Sequence, residues 1–261
     1  MDKEKLTSYI KDYDLKTIII KNLSKAEGVL YHHDIRHTDF MNPFERKNFV
    51  GILKSTNSIS FRQCTLGSFP ERIIIQMYPD YMDETQIENP YEVIRITGNF
   101  KFNKIEHRDY LGALLSLGIK REKLGDIHVH EDCAYIIADK TISNYIEFNL
   151  TSIAKGSVAC KIVDEEDFEE SVPEYQEKII NIASNRADVI VSEIFNISRS
   201  KTQEFIEKGR LYVNFELFPA NSREIKDGSL ISLKGYGRAY FDEIISETKK
   251  GRLRAKVKKV L

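Results

Sequence analysis

The chain has 261 residues, 41% of them hydrophobic, and a formal net charge of -1, so two or three domains with buried cores are expected. Its three cysteines lie far apart without a C-x-x-C pair, which argues against a structural zinc site or a disulfide framework. The N-terminus lacks the apolar core of a signal peptide and no apolar run approaches the roughly 20 residues that span a bilayer, which predicts a cytoplasmic protein without a membrane partner.

The small net charge hides an asymmetry along the chain. Residues 186–261 contain 16 Lys and Arg against 10 Asp and Glu, a net of +6, which leaves 23 against 30, or -7, for residues 1–185. Such segregation indicates an anionic partner for the C-terminal third. A charged tail that only keeps the protein in solution would give the same count and remains the alternative.

Residues 1–78 are predicted to form a helical N-terminal domain that ends in a hairpin. The helical stretch covers residues 1–57 and is interrupted by a loop at HHDIRHTDFMNPFE. Asn42 is placed to cap a helix that has Pro43 at its first position. Residues 58–78 have the pattern of two short strands, of which the second is RIIIQMY.

Residues 79–170 are predicted to form a ferredoxin-like middle domain. Its elements follow the order β-α-β-β-α-β, with strands such as YEVIRI and CAYIIA and a first helix that ends at Gly118. Many RNA-binding modules use this fold, and they carry two alternating aromatic residues on the third strand. Only Tyr135 is available here, so we expect this domain to touch RNA weakly or to contact protein.

Residues 180–261 are predicted to form the last domain, after an acidic linker at 164–177 that has eight acids and no base. A first helix buries Val189, Ile190, Ile194 and Phe195 on one face. Ser198 or Ser200 caps the next helix, since Ser200 and Gln203 match a capping box, and Gly209 ends it. The stretch LYVNFEL is predicted as one strand, and SLISLKG as the next.

Cations gather at both ends of the second helix and at the end of the later strand. Arg199 and Lys201 lie at its N-terminus, where free N–H groups and the helix dipole favour a phosphate. Lys208 and Arg210 flank its far end, and Lys234 and Arg238 follow the strand SLISL. This display suits the backbone of a folded RNA, because phosphate contacts give affinity rather than sequence readout.

The stretches SRSKTQEFIEKGRLYVN and IKDGSLISLKGYGR resemble the S-four RNA-binding domain, named after the fourth protein of the small ribosomal subunit. The resemblance covers about 50 residues and implies an αL motif that grips ribosomal or transfer RNA. Tyr236 is expected either to stack on a base or to pack under its strand. The candidate RNA-binding residues are Ser198, Arg199, Ser200, Lys201, Gln203, Lys208, Arg210, Asn214, Lys234, Tyr236 and Arg238.

Other proteins with this domain are enzymes, but their motifs are missing. Gly209-Arg210-Leu211 and Gly251-Arg252-Leu253 lack the aspartate of the pseudouridine synthase G-R-L-D motif. The nucleotide motifs of a tyrosyl-tRNA synthetase and the glycine-rich loop of a methyltransferase are also not visible. We therefore expect no catalytic residue and no cofactor. An RNA-modifying enzyme with its active site in residues 1–163 remains the alternative.

The full layout resembles the YlmH family of bacterial S-four proteins, with TDFMNP, GDI, SRSKTQEFIEKG and GYGR as its anchors. That resemblance implies a non-catalytic RNA-binding factor of ribosome-associated quality control. Its implied partners are ribosomal RNA or tRNA and the large ribosomal subunit with stalled peptidyl-tRNA, and a monomer is expected. Some family members are also tied to cell division.

Three further patterns allow two interpretations each. The tail KKGRLRAKVKKVL predicts a terminal strand with a basic face, either a second phosphate track or an edge strand protected by lysines. His33 and His37 would share a helix face, as metal ligands do, and His128 and His130 would lie on one side of a strand. Neither pair has a third ligand at a diagnostic spacing, so no metal site is expected.

Overall fold

The computed structural model describes residues 1–98, 105–249 and 251–260. These residues form two compact units, Met1–Ser171 and Val172–Leu261. Both units mix helices and strands, which confirms the α+β class. None of the helices in the described ranges is long and apolar enough to cross a membrane.

The first unit begins with helices packed on a small sheet. Its elements are α1 (Lys3–Leu6), α2 (Tyr13–His32), β1 (Arg36–His37), α3 (Pro43–Leu53), β2 (Ile59–Cys64) and β3 (Ile74–Pro79). The antiparallel pairing of β2 with β3 confirms the predicted hairpin, and β1 adds to the other side of β3. Ile19 and Leu23 of α2 are fully buried with Phe49 of α3 in the core above this sheet.

Helix α3 begins as the sequence predicts. The side chain of Asn42 accepts from the backbone N–H groups of Phe44 and Glu45 at 2.9 and 3.0 Å, and Pro43 occupies the first helical position. The carboxylate of Glu45 accepts from the Asn42 N–H in return, which completes a capping box.

The rest of the first unit is one antiparallel sheet with two helices. Its elements are β4 (Tyr91–Gly98), α4 (His107–Ser116), β5 (Leu124–Val129), β6 (Cys133–Asp139), α5 (Lys140–Asn149), β7 (Ser152–Ile153) and β8 (Gly156–Val163). The strands lie in the order β5-β6-β4-β8-β7. Ile94, Ile136 and Ile146 belong to the core between the sheet and its helices. Val93, Cys133 and Tyr135 face the opposite side, where the described residues place no α-helix and where Leu66 and Phe168 pack.

Polar contacts join the two parts of the first unit. The guanidinium of Arg72 donates to the carbonyl oxygens of Phe40 at 2.6 Å and of Leu124 at 3.1 Å. Asp39 pairs with Lys21 at 2.7 Å and with Lys123 at 2.9 Å. Burial alone would raise the pKa of this carboxyl, but the two ammonium groups hold it well below its usual range. The predicted division at residue 78 stays a prediction.

The second unit is a six-stranded antiparallel sheet with a helix pair. Its elements are β9 (Tyr175–Ile182), α6 (Ala187–Phe195), α7 (Arg199–Glu207), β10 (Leu211–Val213), β11 (Glu216–Leu217), β12 (Ser229–Leu233), β13 (Gly237–Glu247) and β14 (Leu253–Val260). The strands lie in the order β11-β10-β12-β13-β14-β9. Ile190 and Ile194 of α6 and Phe205 of α7 pack with the inner face of this sheet.

Three expectations for the second unit need correction. LYVNFEL is a hairpin rather than one strand, since Asn214 and Phe215 both have positive φ, 51° and 68°, and connect β10 to β11. The tail does form a strand with Ala255 and Val257 buried. It is not an edge strand, because β14 lies between β13 and β9. The outermost strand on that side, β9, begins within the stretch predicted to be a linker.

Candidate nucleic-acid interface

A buried carboxylate organises the start of α7. The side chain of Asp188 is fully buried and binds three groups. Arg186 Nε donates to Oδ1 at 3.0 Å, Arg199 Nη2 to Oδ2 at 2.6 Å, and Gln203 Nε2 to Oδ2 at 3.2 Å. Burial alone would raise the Asp188 pKa, but these hydrogen bonds and charges lower it to about 2. The carboxylate stays ionised and fixes α6 against α7.

This arrangement changes the interpretation of three predicted residues. Arg199 and Gln203 use polar atoms inside the protein, although the Arg199 side chain keeps 56% of its surface exposed. Ser198 is the N-cap and accepts from the Lys201 N–H at 3.3 Å. The predicted capping box between Ser200 and Gln203 is therefore wrong, because Gln203 is turned towards the Asp188 carboxylate. Ser200 is exposed, with its hydroxyl 3.2 Å from that of Ser198.

Two aromatic rings and three cations form what we call the basic-aromatic surface, defined by Lys201, Phe205, Arg210, Lys234 and Tyr236. The Phe205 ring lies 5.4 Å from the Tyr236 ring, centroid to centroid. Arg210 lies over Phe205 with its Cζ 4.3 Å from the ring centroid. The Lys201 ammonium is 5.6 Å from the Phe205 ring and 6.0 Å from the Tyr236 ring. Such contacts hold the cations in place without neutralising them.

The turn between β12 and β13 holds the Arg210 guanidinium. Its Nη2 donates to the carbonyl oxygen of Lys234 at 2.5 Å. A Cβ on Gly235 would lie 2.8 Å from the same Nη2, and Gly235 has a φ of +85°. The positive φ favours glycine at this position, and a Cβ there would also push the Arg210 guanidinium out of its present place.

Lys201 and Lys234 keep their charges available. The Lys234 ammonium lies 4.8 Å from the centroid of the Tyr212 ring. Neither lysine forms an ion pair with a carboxylate among the residues that the structure describes. Both side chains belong to exposed residues. They are the two predicted cations best placed to meet a phosphate.

The remaining predicted residues lie nearby with more local contacts. Lys208 pairs with Glu204 one turn earlier on α7. The Asn214 side-chain oxygen accepts from the Leu230 N–H at 2.9 Å and ties the hairpin to β12. Arg238 lies over the Phe215 ring at 5.7 Å. Tyr236 is half-buried against Phe205, which favours the packing role among the two roles expected for it.

The sequence predictions missed Phe205 and Tyr212. Phe205 follows Lys201 by four residues on α7, so a helical pattern places the two on one face. Apolar residues at that spacing usually belong to a core, and Phe205 is indeed 93% buried, yet its ring also supports two cations at the surface.

A second row of polar and aromatic side chains crosses the helix-free side of the sheet in the first unit. The row runs His128, Tyr135, Arg95 and Lys161, which are direct cross-strand neighbours on β5, β6, β4 and β8. The Arg95 guanidinium lies 5.9 Å from the centroid of the Tyr135 ring. We call this face, defined by these four residues, the open-face row.

The histidines do not form the arrangement considered for a metal. Helix α2 ends at His32, His33 is its left-handed cap with a φ of 56°, and His37 belongs to β1. The expected common helix face of His33 and His37 is therefore wrong. Across residues 1–98, 105–249 and 251–260, no three His, Cys, Asp or Glu side chains come together in a way that could hold a metal ion.

Comparisons with known proteins find a matching family model and a similar protein of known name. Residues 86–167, which contain the larger sheet of the first unit, match the family model described as a putative RNA-binding domain in YlmH. The chain is 25% identical over 243 residues to the Ribosome-associated protein quality control protein P2 of Bacillus subtilis (strain 168). That alignment covers 92% of this chain and 93% of the relative.

A solved structure is also similar. It is described as the Cell division protein ylmH from Streptococcus pneumoniae and is 22% identical, with a TM-score of 0.49. The match covers 60% of this chain and 96% of the other.

Proposed function

The chain belongs to the YlmH family, and we propose that it is a non-catalytic RNA-binding factor of ribosome-associated quality control. The name of the Bacillus subtilis relative supports the assignment to ribosome-associated quality control, because the two chains align over nearly their whole lengths. The description of the matched family model supports RNA as the partner. The protein would act in the cytoplasm as a monomer.

The finer part of the proposal concerns where the RNA binds. The second unit would act as an S-four-like domain that holds structured ribosomal RNA or tRNA, and the larger sheet of the first unit would be its ferredoxin-like neighbour. The basic-aromatic surface is the observation that carries this assignment. Two lysines that have no carboxylate partner among the described residues flank an arginine that is already oriented by an aromatic ring and a carbonyl oxygen. An ordered cation loses less side-chain entropy when it meets a phosphate.

The large ribosomal subunit with stalled peptidyl-tRNA is the proposed target. Such a target offers folded RNA with closely spaced phosphates, which a rigid set of cations recognises through position rather than base identity. The acidic first unit would oppose non-specific contact with RNA elsewhere on the protein.

An RNA titration with matched variants tests the surface. The variant Lys201→Ala/Arg210→Ala/Lys234→Ala removes its three cations, and Lys178→Ala/Lys226→Ala/Lys249→Ala removes three exposed cations elsewhere in the same unit. With a labelled RNA hairpin, the first variant should lose most of its affinity, and its plot of log K against log salt should become shallower by about 3. Equal losses in both variants would show that only total charge matters and would refute the site.

Sedimentation tests the process. The full chain should travel with free large subunits at low salt and leave them at high salt, while the surface variant should stay at the top of the gradient at both. If the unmodified chain is absent from every ribosomal fraction, the large-subunit target is wrong. Mass spectrometry of RNA from cells without the protein tests the enzymatic alternative, because a missing modified nucleoside would contradict the non-catalytic role.

A further inference from the structure

The open-face row has the chemistry of a single-stranded RNA site, yet its aromatic ring is covered. Tyr135 points away from both helices of its sheet but is only 2% exposed. Arg95 and Lys161 beside it are exposed. A ring and two cations in adjacent positions offer a stacking platform and phosphate contacts for a splayed nucleotide. Something other than the sheet's own helices therefore closes the platform.

Tyr135 is covered by Leu66, by His130 and by the acidic segment that follows β8, residues 164–171, which we call the acidic cover. Its only aromatic side chain, Phe168, lies edge-on to Tyr135 at 5.8 Å and to His128 at 4.9 Å, centroid to centroid. Phe168 is also the only apolar residue of DEEDFEES. The ring thus takes the place beside Tyr135 that a base would need.

Hydrogen bonds fix the acidic cover at four points, one of which runs from Asn89 Nδ2 to the Glu165 carboxylate at 2.6 Å. His130 Nε2 contacts the Glu169 carbonyl oxygen at 3.0 Å, and the Ser171 N–H donates to His128 Nδ1 at 3.2 Å. The Glu170 carboxylate accepts from the Ser68 N–H at 2.8 and 2.9 Å. Burial lowers the pKa of His128, which keeps Nδ1 able to accept. These few contacts, on a segment without regular structure beyond one short turn at Glu165–Asp167, form a closure that a ligand can displace.

The charges of the acidic cover match those of a nucleic acid. The segment has six carboxylates and no cation. Glu166, Asp167 and Glu169 line one groove together with Arg95 and Lys161. An aromatic ring flanked by negative groups packs edge-on against an aromatic ring flanked by positive groups, and so occupies the place that a base and its phosphates would need.

We propose that the acidic cover is an internal RNA mimic that occupies the open-face row, and that single-stranded RNA binds there only by displacing it. The inference rests on the proposed RNA-binding function and names a second class of RNA, single-stranded rather than folded, for the first unit. It explains how a domain of this kind works with one aromatic ring on its third strand: the ring is reserved for a displacing strand.

The test separates the open-face row from the basic-aromatic surface. All variants are made in the full chain that already has Lys201→Ala/Arg210→Ala/Lys234→Ala, and the probe is a labelled single-stranded RNA of about eight nucleotides. Phe168→Ala removes the covering ring, and Asp167→Asn/Glu169→Gln removes two charges but keeps the ring. Asp14→Asn/Asp80→Asn is the matched control, because both are exposed carboxylates of the same unit outside the cover.

Both cover variants should bind the probe at least about fivefold more tightly than the parent, the lower end of common coupling strengths. The control should match the parent, and adding Arg95→Ala/Lys161→Ala should remove the gain. Folding of Phe168→Ala is checked by circular dichroism, and the charge variant gives a result even if that substitution unfolds. No gain in a folded cover variant, or an equal gain in the control, overturns the proposal.

Hydrogen exchange gives an independent readout in the unmodified chain. Saturating single-stranded RNA should speed exchange in a peptide covering residues 164–171, because the cover leaves the sheet. Bound RNA with an unchanged peptide overturns displacement. Failure of the proposed function looks different: the unmodified chain would then not bind the RNA hairpin, whatever the cover variants do.

Discussion

Arg199 and Lys201 are two residues apart at the start of α7, yet the structure assigns them different work. Arg199 donates to the fully buried Asp188 carboxylate at 2.6 Å. Lys201 has ring contacts and a backbone bond to the helix cap, and no carboxylate in the described part of the chain pairs with it. Arg199→Ala should therefore mainly reduce stability, whereas Lys201→Ala should mainly reduce RNA affinity. Comparing the two substitutions therefore separates effects on folding from effects on RNA binding within one turn of the helix.

The magnitudes follow from the contacts. Breaking a buried ion pair by removing one partner costs about 3–5 kcal/mol. Here Arg186 remains bound to Asp188, and Arg199 is 56% exposed, so that water replaces part of the lost contact. We expect Arg199→Ala to destabilise the second unit by about 2 kcal/mol. Lys201→Ala should change stability by less than about 0.5 kcal/mol, as exposed substitutions usually do.

The assay must report on the second unit alone, because a chain with two units need not unfold in one step. Hydrogen exchange of a peptide covering residues 187–207 in the full chain does this. Arg199→Ala should speed its exchange about 30-fold, the equivalent of about 2 kcal/mol. Lys201→Ala should leave it unchanged but weaken hairpin RNA about fivefold, the loss of one contact worth about 1 kcal/mol.

One result would refute this reasoning. If Arg199→Ala leaves the exchange of that peptide unchanged and weakens RNA as much as Lys201→Ala, the guanidinium serves the RNA rather than Asp188. Arg199→Lys adds a check, since a lysine keeps the charge but not the planar fork that reaches the carboxylate.

Two further predictions concern the same unit. Asp188 has a pKa of about 2 in the fold against 3.8 when unperturbed, so its contribution of about 2 kcal/mol to the free energy of unfolding is complete above pH 4 and is lost as the pH falls towards 2. Between these pH values, the free energy of unfolding of the unmodified chain should therefore fall more steeply with pH than that of Asp188→Asn. Equal slopes would contradict the assignment. Gly235→Ala should displace the Arg210 guanidinium and weaken the binding of hairpin RNA as Arg210→Ala does. Gly228 has a φ of +76° and no neighbour within 4 Å of an added Cβ, so Gly228→Ala should reduce stability without changing RNA affinity. RNA titration and urea unfolding of both variants check this.

Local signals were enough to predict much of the fold. The cap at Asn42, the hairpin at 58–78, the buried face of α6 and the glycine after α7 all depend on residues within a few positions of each other. Elements defined by distant partners were missed. The strand β9, YQEKIINI, contains three isoleucines. It pairs with β14, which lies more than 70 residues further along the chain.

The candidate site divides in the same way. The cations of α7 and of the β12–β13 turn were found because charge is visible in a sequence. Their roles were not, because the pairing of Arg199 with Asp188 depends on how α6 crosses α7, and the orientation of Arg210 depends on a turn 24 residues away. Phe168 is a lone aromatic residue inside an acidic run. It was a usable signal that this segment packs against a domain rather than serving as a linker between two domains.

The two surfaces differ in one respect, from which we infer the order in which RNA would use them. Both place an arginine against an aromatic ring, at 4.3 Å for Arg210 on Phe205 and 5.9 Å for Arg95 on Tyr135. The first arginine–ring pair has two exposed lysines beside it, Lys201 and Lys234, whereas the ring of the second pair, Tyr135, is packed against Phe168 of the acidic cover. A folded RNA held at the basic-aromatic surface presents its own single-stranded flank at an effective concentration on the order of millimolar, provided that the flank can reach. If the acidic cover weakens the binding of free single-stranded RNA by about tenfold, a single strand tethered in this way would still displace it. The acidic cover would thereby reject free single strands and admit those attached to a folded RNA that the second unit already holds.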